Sequence, residues 1–244
     1  MRERDKVVIS KELIQGSLEE GWAAFKVRPW PIIVMMLGLG ASAALLKVLT
    51  GLIFGEKSGA ANIVGILIQF LFMIFYPGFQ AYILKAVRRE GPDWGDFFWG
   101  WKYPVRIFVA DILSSLPLLI TCLMIVPILI LVHGLGLPNP LMYVILGVLG
   151  AAAALVLGYF GIRFNQWSLL LIDRNVTALE SVKQSWKLME GQIINFFGLF
   201  VILVLINCLG ALALLIGVFV SLPVSLGAFA AFYVKISERT KILA

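Results

Sequence analysis

Residues 107–132 have the sequence IFVADILSSLPLLITCLMIVPILILV, in which Asp111 is the single charged side chain. An α-helix rises about 1.5 Å per residue, so about 20 apolar residues cross the ~30 Å hydrocarbon core of a bilayer. This stretch is long enough for one crossing. A β-barrel would show shorter segments of alternating hydrophobicity instead, so the stretch indicates a membrane-spanning helix.

Four more apolar runs cover residues 31–54, 60–84, 141–171 and 195–234, and the last is too long for one crossing and divides near Gly217. The composition agrees, with 61% hydrophobic and 14% charged residues and a mean hydropathy of +0.97. A soluble domain carries about 25% charged residues. We therefore predict an all-α polytopic membrane protein with six transmembrane helices, which form a single integral membrane domain over residues 1–244.

The basic residues predict the orientation of these spans. All Lys and Arg except Lys47 and Lys57 fall in four segments that would share one side of the membrane. Cytoplasmic loops carry an excess of Lys and Arg, so we expect both termini in the cytoplasm. We expect a multi-pass protein of the cytoplasmic (inner) membrane of a prokaryote, whose partner is the lipid bilayer with its anionic headgroups. Basic residues spread over four segments argue against a nucleic-acid partner.

A short segment of helical period precedes each pair of predicted spans. The side chains that recur on one face are Ile14, Leu18, Trp22 and Phe25, then Trp94, Phe97, Phe98 and Trp101, and finally Leu179, Val182, Trp186 and Met189. Each face is too short to span a bilayer and has charged neighbours, as in helices that lie at the headgroup level. We predict three interfacial amphipathic helices on the cytoplasmic side. Their expected membrane anchors are Trp22, Phe25, Trp94, Phe97, Phe98, Trp101 and Trp186.

Two of these short helices carry a start signal in the sequence. Asp93 with Asp96, and Thr177 with Glu180, have the spacing of a capping box. Gly95 weakens the second segment as a helix, as does Gly100, so an aromatic-rich loop is the alternative there.

The order of segments predicts one unit repeated three times, a short helix followed by two spans. The pseudo-repeats cover about residues 10–89, 90–174 and 175–238. The first and third align residue by residue, with Ser17 opposite Ser181 and Trp22 opposite Trp186, whereas the second aligns by pattern alone. Internal repeats are common in membrane transport folds, but they also build other bundles.

Ionisable residues inside a span are functional candidates because each is costly at the bilayer centre. Asp111 closely follows the start of the third span, and Arg163 lies late in the fourth span, which returns to the same face. We predict an intramembrane Asp111–Arg163 pair, either as a structural contact or as part of a substrate or proton path.

Small residues predict where helices pack closely. Gly150, Ala154 and Gly158 recur every four residues in the fourth span, and such stripes let two backbones approach each other. We expect this stripe to pack inside the monomer, with a homo-oligomer as the alternative.

The sequence offers no catalytic motif. Its one histidine, His133, falls in a predicted external loop, and no HExxH, GxSxG or phosphate-binding Gly-Lys-Ser/Thr pattern occurs. A metal site needs several ligands in one place, and the chain holds no such group. We therefore expect no enzyme activity, no cofactor and no metal.

Two segments resemble a known group of proteins. Residues 176–205, VTALESVKQSWKLMEGQIINFFGLFVILVL, and residues 78–102, GFQAYILKAVRREGPDWGDFFWGWK, are similar to signatures of uncharacterised prokaryotic six-span membrane proteins. That group is related to the membrane domain of glycerophosphoryl diester phosphodiesterases. In phosphodiesterase members catalysis resides in a separate soluble domain, so the resemblance implies a membrane module without that activity.

Three functions are compatible with this pattern. The favoured one is a non-catalytic membrane module, a scaffold that binds a protein partner or a homo-oligomer, or contacts the bilayer through its short helices. The alternative is a transporter or channel for a small or lipid-like solute. A lipid-headgroup enzyme would need Asp111, Arg163 and Asp173 to converge.

Overall fold

The computed structural model describes residues 10–55, 58–134, 139–212 and 217–243, and every regular element in these ranges is a helix. In chain order the helices are α1 (Lys11–Val27), α2 (Pro29–Phe54), α3 (Gly59–Arg88), the 3-10 helix η1 (Trp94–Lys102), α4 (Pro104–Gly134), α5 (Asn139–Phe164), α6 (Trp167–Arg174), α7 (Ala178–Leu188), α8 (Ile193–Leu212) and α9 (Val218–Leu243). The basic residues at positions 2, 4, 6 and 57 lie outside the described residues, so the orientation stays a prediction.

Six helices in the described ranges are long and apolar enough to cross a membrane, which confirms the predicted number of spans. They are α2, α3, α4, α8, α9 and the segment that runs from α5 into α6. The run at 195–234 divides as predicted, because α8 ends at Leu212 and α9 begins at Val218.

The fourth apolar run contains a turn that its hydropathy does not indicate. Residues 165 and 166 separate α5 from α6. At this turn the Ser185 hydroxyl donates to the Arg163 carbonyl at 2.9 Å and accepts from the Gln166 amide at 3.2 Å. A hydroxyl group of α7 thus replaces backbone bonds that would have continued α5, which is a recognised way to interrupt a helix.

The spans differ greatly in how much of them is buried within the chain. The most apolar windows of α2, α3 and α4 are each 6% buried, that of the α5–α6 segment is 0% buried, and that of α9 is 61% buried. The last helix is therefore the central one, and the most apolar parts of α2 to α5 lie on the outside of the chain. The collar half of α3, from Phe75 to Ala86, is largely buried.

Four short helices, α1, η1, α6 and α7, lie at one end of the bundle, and we name this layer the collar. The Ser10 amide at the start of α1 donates to the Asn195 side chain of α8 at 2.8 Å. Arg28, between α1 and α2, donates to the Pro92 carbonyl before η1 at 3.2 Å. The larger of the two buried hydrophobic clusters joins α1, η1 and α6 to α3, α8 and α9, so the collar end carries most of the core.

Candidate functional site

The packing face of α1 begins with the large apolar side chains Leu13 and Ile14 and continues with small residues. Ser10 caps the helix through the Leu13 amide, and Ser17, Gly21 and Ala24 are buried. A Cβ atom on Gly21 would collide with the α9 backbone, since the Cα atom of Ala228 would lie 2.9 Å away. Close approach through small residues is the usual way in which helices pack where lipid surrounds them.

The aromatic anchors predicted in α1 lie beside this packing face. Trp22 is 45% exposed, and its ring is 5.9 Å from that of Phe25, which packs partly against the core. The Lys26 ammonium lies 5.8 Å from the Trp22 ring centroid. The predicted apolar stripe is therefore divided, with Ile14 buried and Trp22 left outside.

The aromatic segment after residue 92 is a 3-10 helix, so neither an α-helix nor a loop describes it. The Asp93–Asp96 capping box is present in full, which confirms that prediction. Lys85 of α3 adds an ion pair to Asp96 at 2.5 Å, with the Asp96 side chain only 10% exposed. The Asp96 carboxylate therefore caps η1 and pairs with Lys85, and the two contacts together hold the start of η1 against α3.

Two glycines let η1 touch α3 backbone to backbone. A Cβ atom on Gly78 would collide with the Phe97 carbonyl group, whose carbon atom would be 2.6 Å away. Likewise, a Cβ atom on Gly100 would collide with the Ile74 carbonyl group. Each helix therefore contributes one glycine, and a larger residue at either position would push the helices apart.

The four predicted anchors of η1 divide into one buried ring and three exposed rings. Phe97 is fully buried, with its ring 4.5 Å from that of Tyr82. Trp94, Phe98 and Trp101 are 50%, 49% and 52% exposed. Phe97 is thus a core residue, and the other three form the outer surface.

α7 begins at its predicted cap, but the capping box is only half formed. The Glu180 amide donates to the Thr177 hydroxyl at 3.3 Å. The Glu180 carboxylate accepts from the Gln184 side chain at 3.2 Å and does not turn back to the cap. Ser181, which aligns with Ser17 of α1, is fully buried like its counterpart.

Arg163 has partners other than the predicted Asp111. Its guanidinium group lies 4.6 Å above the Trp186 ring and donates to the Trp186 carbonyl at 3.0 Å. It also donates to the Tyr159 hydroxyl at 3.3 Å. No Asp111–Arg163 ion pair forms among the described residues. An aromatic face and a carbonyl oxygen satisfy this arginine where the sequence suggested a carboxylate.

Asp173 joins three helices. The sequence analysis named this residue only as part of the enzyme alternative. Its carboxylate accepts from Arg88 of α3 at 2.5 Å and from the Tyr233 hydroxyl of α9 at 2.6 Å. The neighbouring Arg174 donates to Ser237 of α9 at 3.2 Å. Asp111, Arg163 and Asp173 therefore have separate surroundings and do not form one constellation.

The small-residue stripe of α5 does not pack inside the monomer, so that prediction was wrong. Gly150, Ala154 and Gly158 are exposed, and a Cβ atom on either glycine would meet no atom within 4 Å. The close contacts use Gly21 with Gly227, and Gly78 with η1. The stripe of α5 has no facing helix, whereas Gly78 makes a close contact although Ile74 and Tyr82, not small residues, lie four positions from it.

A cavity of about 570 Å³ with partly polar and partly apolar walls lies between α3, α4, α5 and α6, and we name it the polar cavity for the side chains that follow. Gln69, Asp111, Ser114 and Asn165 line it together with aromatic side chains. Gln69 is about 15 Å along α3 from the end opposite the collar, which is near the middle of a ~30 Å hydrocarbon core. Asp111 thus lines a polar space, alongside neutral groups that can bind a solute by hydrogen bonds.

A second cavity, of about 640 Å³, lies between α4, α5 and α7 and is mostly apolar. Its walls include Leu116, Ile120, Val156 and Phe160, and Trp186 lines it on the collar side. We name it the α7 groove. Phe164 lines both cavities and so separates polar from apolar space.

No three His, Cys, Asp or Glu side chains gather as a metal site within the described ranges. Comparisons of the chain with protein-family models, curated proteins and solved structures give no match. Nothing in these comparisons links the chain to the membrane domains of glycerophosphoryl diester phosphodiesterases, and that resemblance stays a prediction.

Proposed function

We propose that the chain is a non-catalytic integral membrane module whose collar rests in the headgroup layer on the cytoplasmic side of a prokaryotic inner membrane. The observation that carries the proposal is that large rings remain exposed on a well-packed collar. Trp22 and Trp101 are about half exposed, although the collar has a core that buries Leu13 and Phe97. In water such rings would be buried first. At a membrane interface they find both an apolar bed and hydrogen-bonding groups.

The collar is also attached firmly enough to act as a platform. Its helices touch the spans backbone to backbone at Gly21 and Gly78, and Asp173 links α6 to α3 and α9. A scaffold for a protein partner or for further copies of the chain would use such a surface. Its position at headgroup level would leave its basic residues beside anionic lipid.

The three-fold repeat is part of this proposal. Each of α1, η1 and α7 starts at a capping side chain and precedes two spans. Ser17 and Ser181, aligned by sequence, are both fully buried and both donate to a carbonyl of the preceding turn. These likenesses support pseudo-repeats at residues 10–89, 90–174 and 175–238, each led by an interfacial amphipathic helix.

Depth-dependent fluorescence quenching tests the position of the collar. Variants that retain one tryptophan, Trp22 or Trp101, would be placed in vesicles whose lipids carry bromine at defined acyl positions. We expect the strongest quenching from bromine near the headgroup. The control is a tryptophan introduced by Leu123→Trp, which is 75% exposed in the middle of α4 and should respond to deep bromine. If bromine at every depth fails to quench Trp22 and Trp101, the proposal is wrong.

The polar cavity favours a second candidate function, a transporter or channel for a small or lipid-like solute. It brings Gln69 and Asp111 to one space that approaches the bilayer midplane. Polar side chains inside a membrane protein commonly face a water-filled cavity or pathway.

Thiol labelling distinguishes this candidate from the first. A Gln69→Cys variant would be made in a background in which Cys122 and Cys208 are replaced by alanine. A water-soluble, membrane-impermeant thiol reagent should modify it if the cavity is hydrated. A Leu123→Cys control, which faces away from the chain, should stay unmodified. Protection of both thiols would remove the transport candidate.

A further inference from the structure

We propose that the α7 groove is a binding site for one anionic phospholipid, with an acyl chain between α4 and α5 and the headgroup at Lys183 and Lys187. The proposal deepens the proposed function and rests on it, because the headgroup must meet the collar at the membrane surface. It differs from general attraction to anionic lipid, since it assigns a single ligand to a single groove.

The walls of the groove fit an acyl chain. They extend from Leu113 to Thr121 along α4 and from Phe164 to Val156 along α5, which is about 12 Å of helix on each side. The volume of about 640 Å³ lies within the roughly 300–1,000 Å³ typical of small-molecule sites. An apolar groove of this length, open to the surroundings of the chain, suits an extended hydrocarbon chain.

The collar end of the groove fits an anionic headgroup. Lys183 and Lys187 are one helical turn apart, are exposed and line the groove. Within the described residues neither ammonium group belongs to an ion pair. No carboxylate lines the groove, so nothing in it would repel a phosphate. Unpaired lysines beside an apolar space match the two ends of a phospholipid.

Trp186 fixes the boundary between these two ends. Its ring packs 5.5 Å from that of Phe164 and 5.8 Å from that of Phe160. The Arg163 guanidinium lies 4.6 Å from the centroid of the Trp186 ring and adds a positive charge beside it. An indole held in this way presents an apolar edge to the chain and lies at the depth that tryptophan prefers.

The neighbouring polar cavity is a poorer place for the same headgroup. Asp111 lines it, and no Lys or Arg does, so a phosphate there would meet a carboxylate with no compensating cation. Charge complementarity therefore assigns the anion to the α7 side of Phe164.

Native mass spectrometry of the full chain, released from bilayers with equal amounts of phosphatidylglycerol and phosphatidylcholine, tests the site. Lys183→Gln/Lys187→Gln should lower the fraction of protein with bound phosphatidylglycerol by about tenfold. Lys26→Gln/Lys102→Gln removes the same charge from exposed collar positions outside the groove and should change it by less than about twofold. Equal loss in both pairs, or no loss in either, overturns the proposal.

A second pair of variants tests the groove without changing charge. Val156→Trp fills the acyl-chain space, whereas Leu155→Trp, at the next position, is 76% exposed and does not line the groove. We expect loss of bound phosphatidylglycerol with Val156→Trp alone. Bromine at headgroup depth could quench Trp22 and Trp101 while Lys183→Gln/Lys187→Gln and Val156→Trp leave bound phosphatidylglycerol unchanged. In that case the lipid site is refuted and the proposed function stands. If that quenching is absent, both fail.

Discussion

The contact between Gly78 and η1 predicts that alanine at position 78 lowers the stability of the protein, although helix propensity alone predicts a gain. Alanine is favoured over glycine inside a helix by about 1 kcal/mol, so Gly78→Ala should stabilise α3 if nothing faced it. Its Cβ atom would instead collide with the Phe97 carbonyl group, with the carbonyl carbon 2.6 Å away. Ordinary carbon contacts are about 3.5–4.0 Å, so η1 would have to move by about 1 Å.

The size of the effect follows from the cost of overpacking. Added atoms in a packed interior cost about 1–3 kcal/mol, and the upper end applies here because the obstacle is backbone. After the gain in propensity, a net loss of about 2 kcal/mol remains. For a chain of this size, that is about 4–8 °C in the melting temperature.

Thermal unfolding in detergent, followed by intrinsic tryptophan fluorescence, measures this loss. Gly158→Ala is the matched control, because a Cβ atom there meets no atom within 4 Å, and it should raise the melting temperature by about 2–4 °C. The reasoning is refuted if Gly78→Ala melts at or above the temperature of the unmodified chain, since η1 could then not lie against α3 as described.

Five further substitutions, two of them controls, test other contacts by the same unfolding assay. Asp173→Asn should lower the free energy of unfolding by about 2–3 kcal/mol, because the carboxylate is only 12% exposed and accepts hydrogen bonds from α3 and α9. Glu20→Gln removes a more exposed ion pair and should lower the free energy of unfolding by less than about 1 kcal/mol. Equal losses in these two variants would contradict the stronger role given to Asp173. Phe97→Ala should cost about 3–5 kcal/mol, whereas the half-exposed Phe98→Ala should cost under about 1.5 kcal/mol; the reverse order would place the wrong ring in the core. Asn207→Leu removes a 2.8 Å hydrogen bond to α9 and should cost about 0.6 kcal/mol, up to about 1.7, and a gain would show that this bond does not stabilise the pair.

The spans and the starts of the short helices could be predicted because they depend on local sequence. Hydropathy alone indicates six crossings, and the side chains of Asp93 and Thr177 accept from backbone amides only two or three residues further along the chain. The turn after Phe164 could not be found in this way. It depends on Ser185, a residue of another helix.

The packing faces could not be predicted because lipid removes the usual signal. In water the apolar face of a helix is the buried face, but in a membrane the outside is apolar too. Periodicity placed Trp22 on one face with Ile14 and Phe98 on one face with Phe97, whereas Ile14 and Phe97 are buried and Trp22 and Phe98 are exposed. It also did not show that Gly21 and Gly78 form the contacts. The stripe around Ala154 has the small-residue pattern but faces no helix. The prediction paired Arg163 with Asp111 because both lie near the same end of their spans. Their positions in the sequence gave no sign that Arg163 would stack on Trp186 instead.

The pairing of α1 with α9 has a consequence for how the protein is made. Gly21 lies against Ala228, so the contact joins α1, which precedes the six long apolar helices of the described residues, to α9, which follows the other five. N-terminal parts of a chain leave the ribosome first, and contacts between distant segments form late. Until α9 has been inserted, the small-residue face of α1 is therefore uncovered. Docking of α9 covers this face, so a product truncated before α9 would leave the small-residue face of α1 without its partner helix.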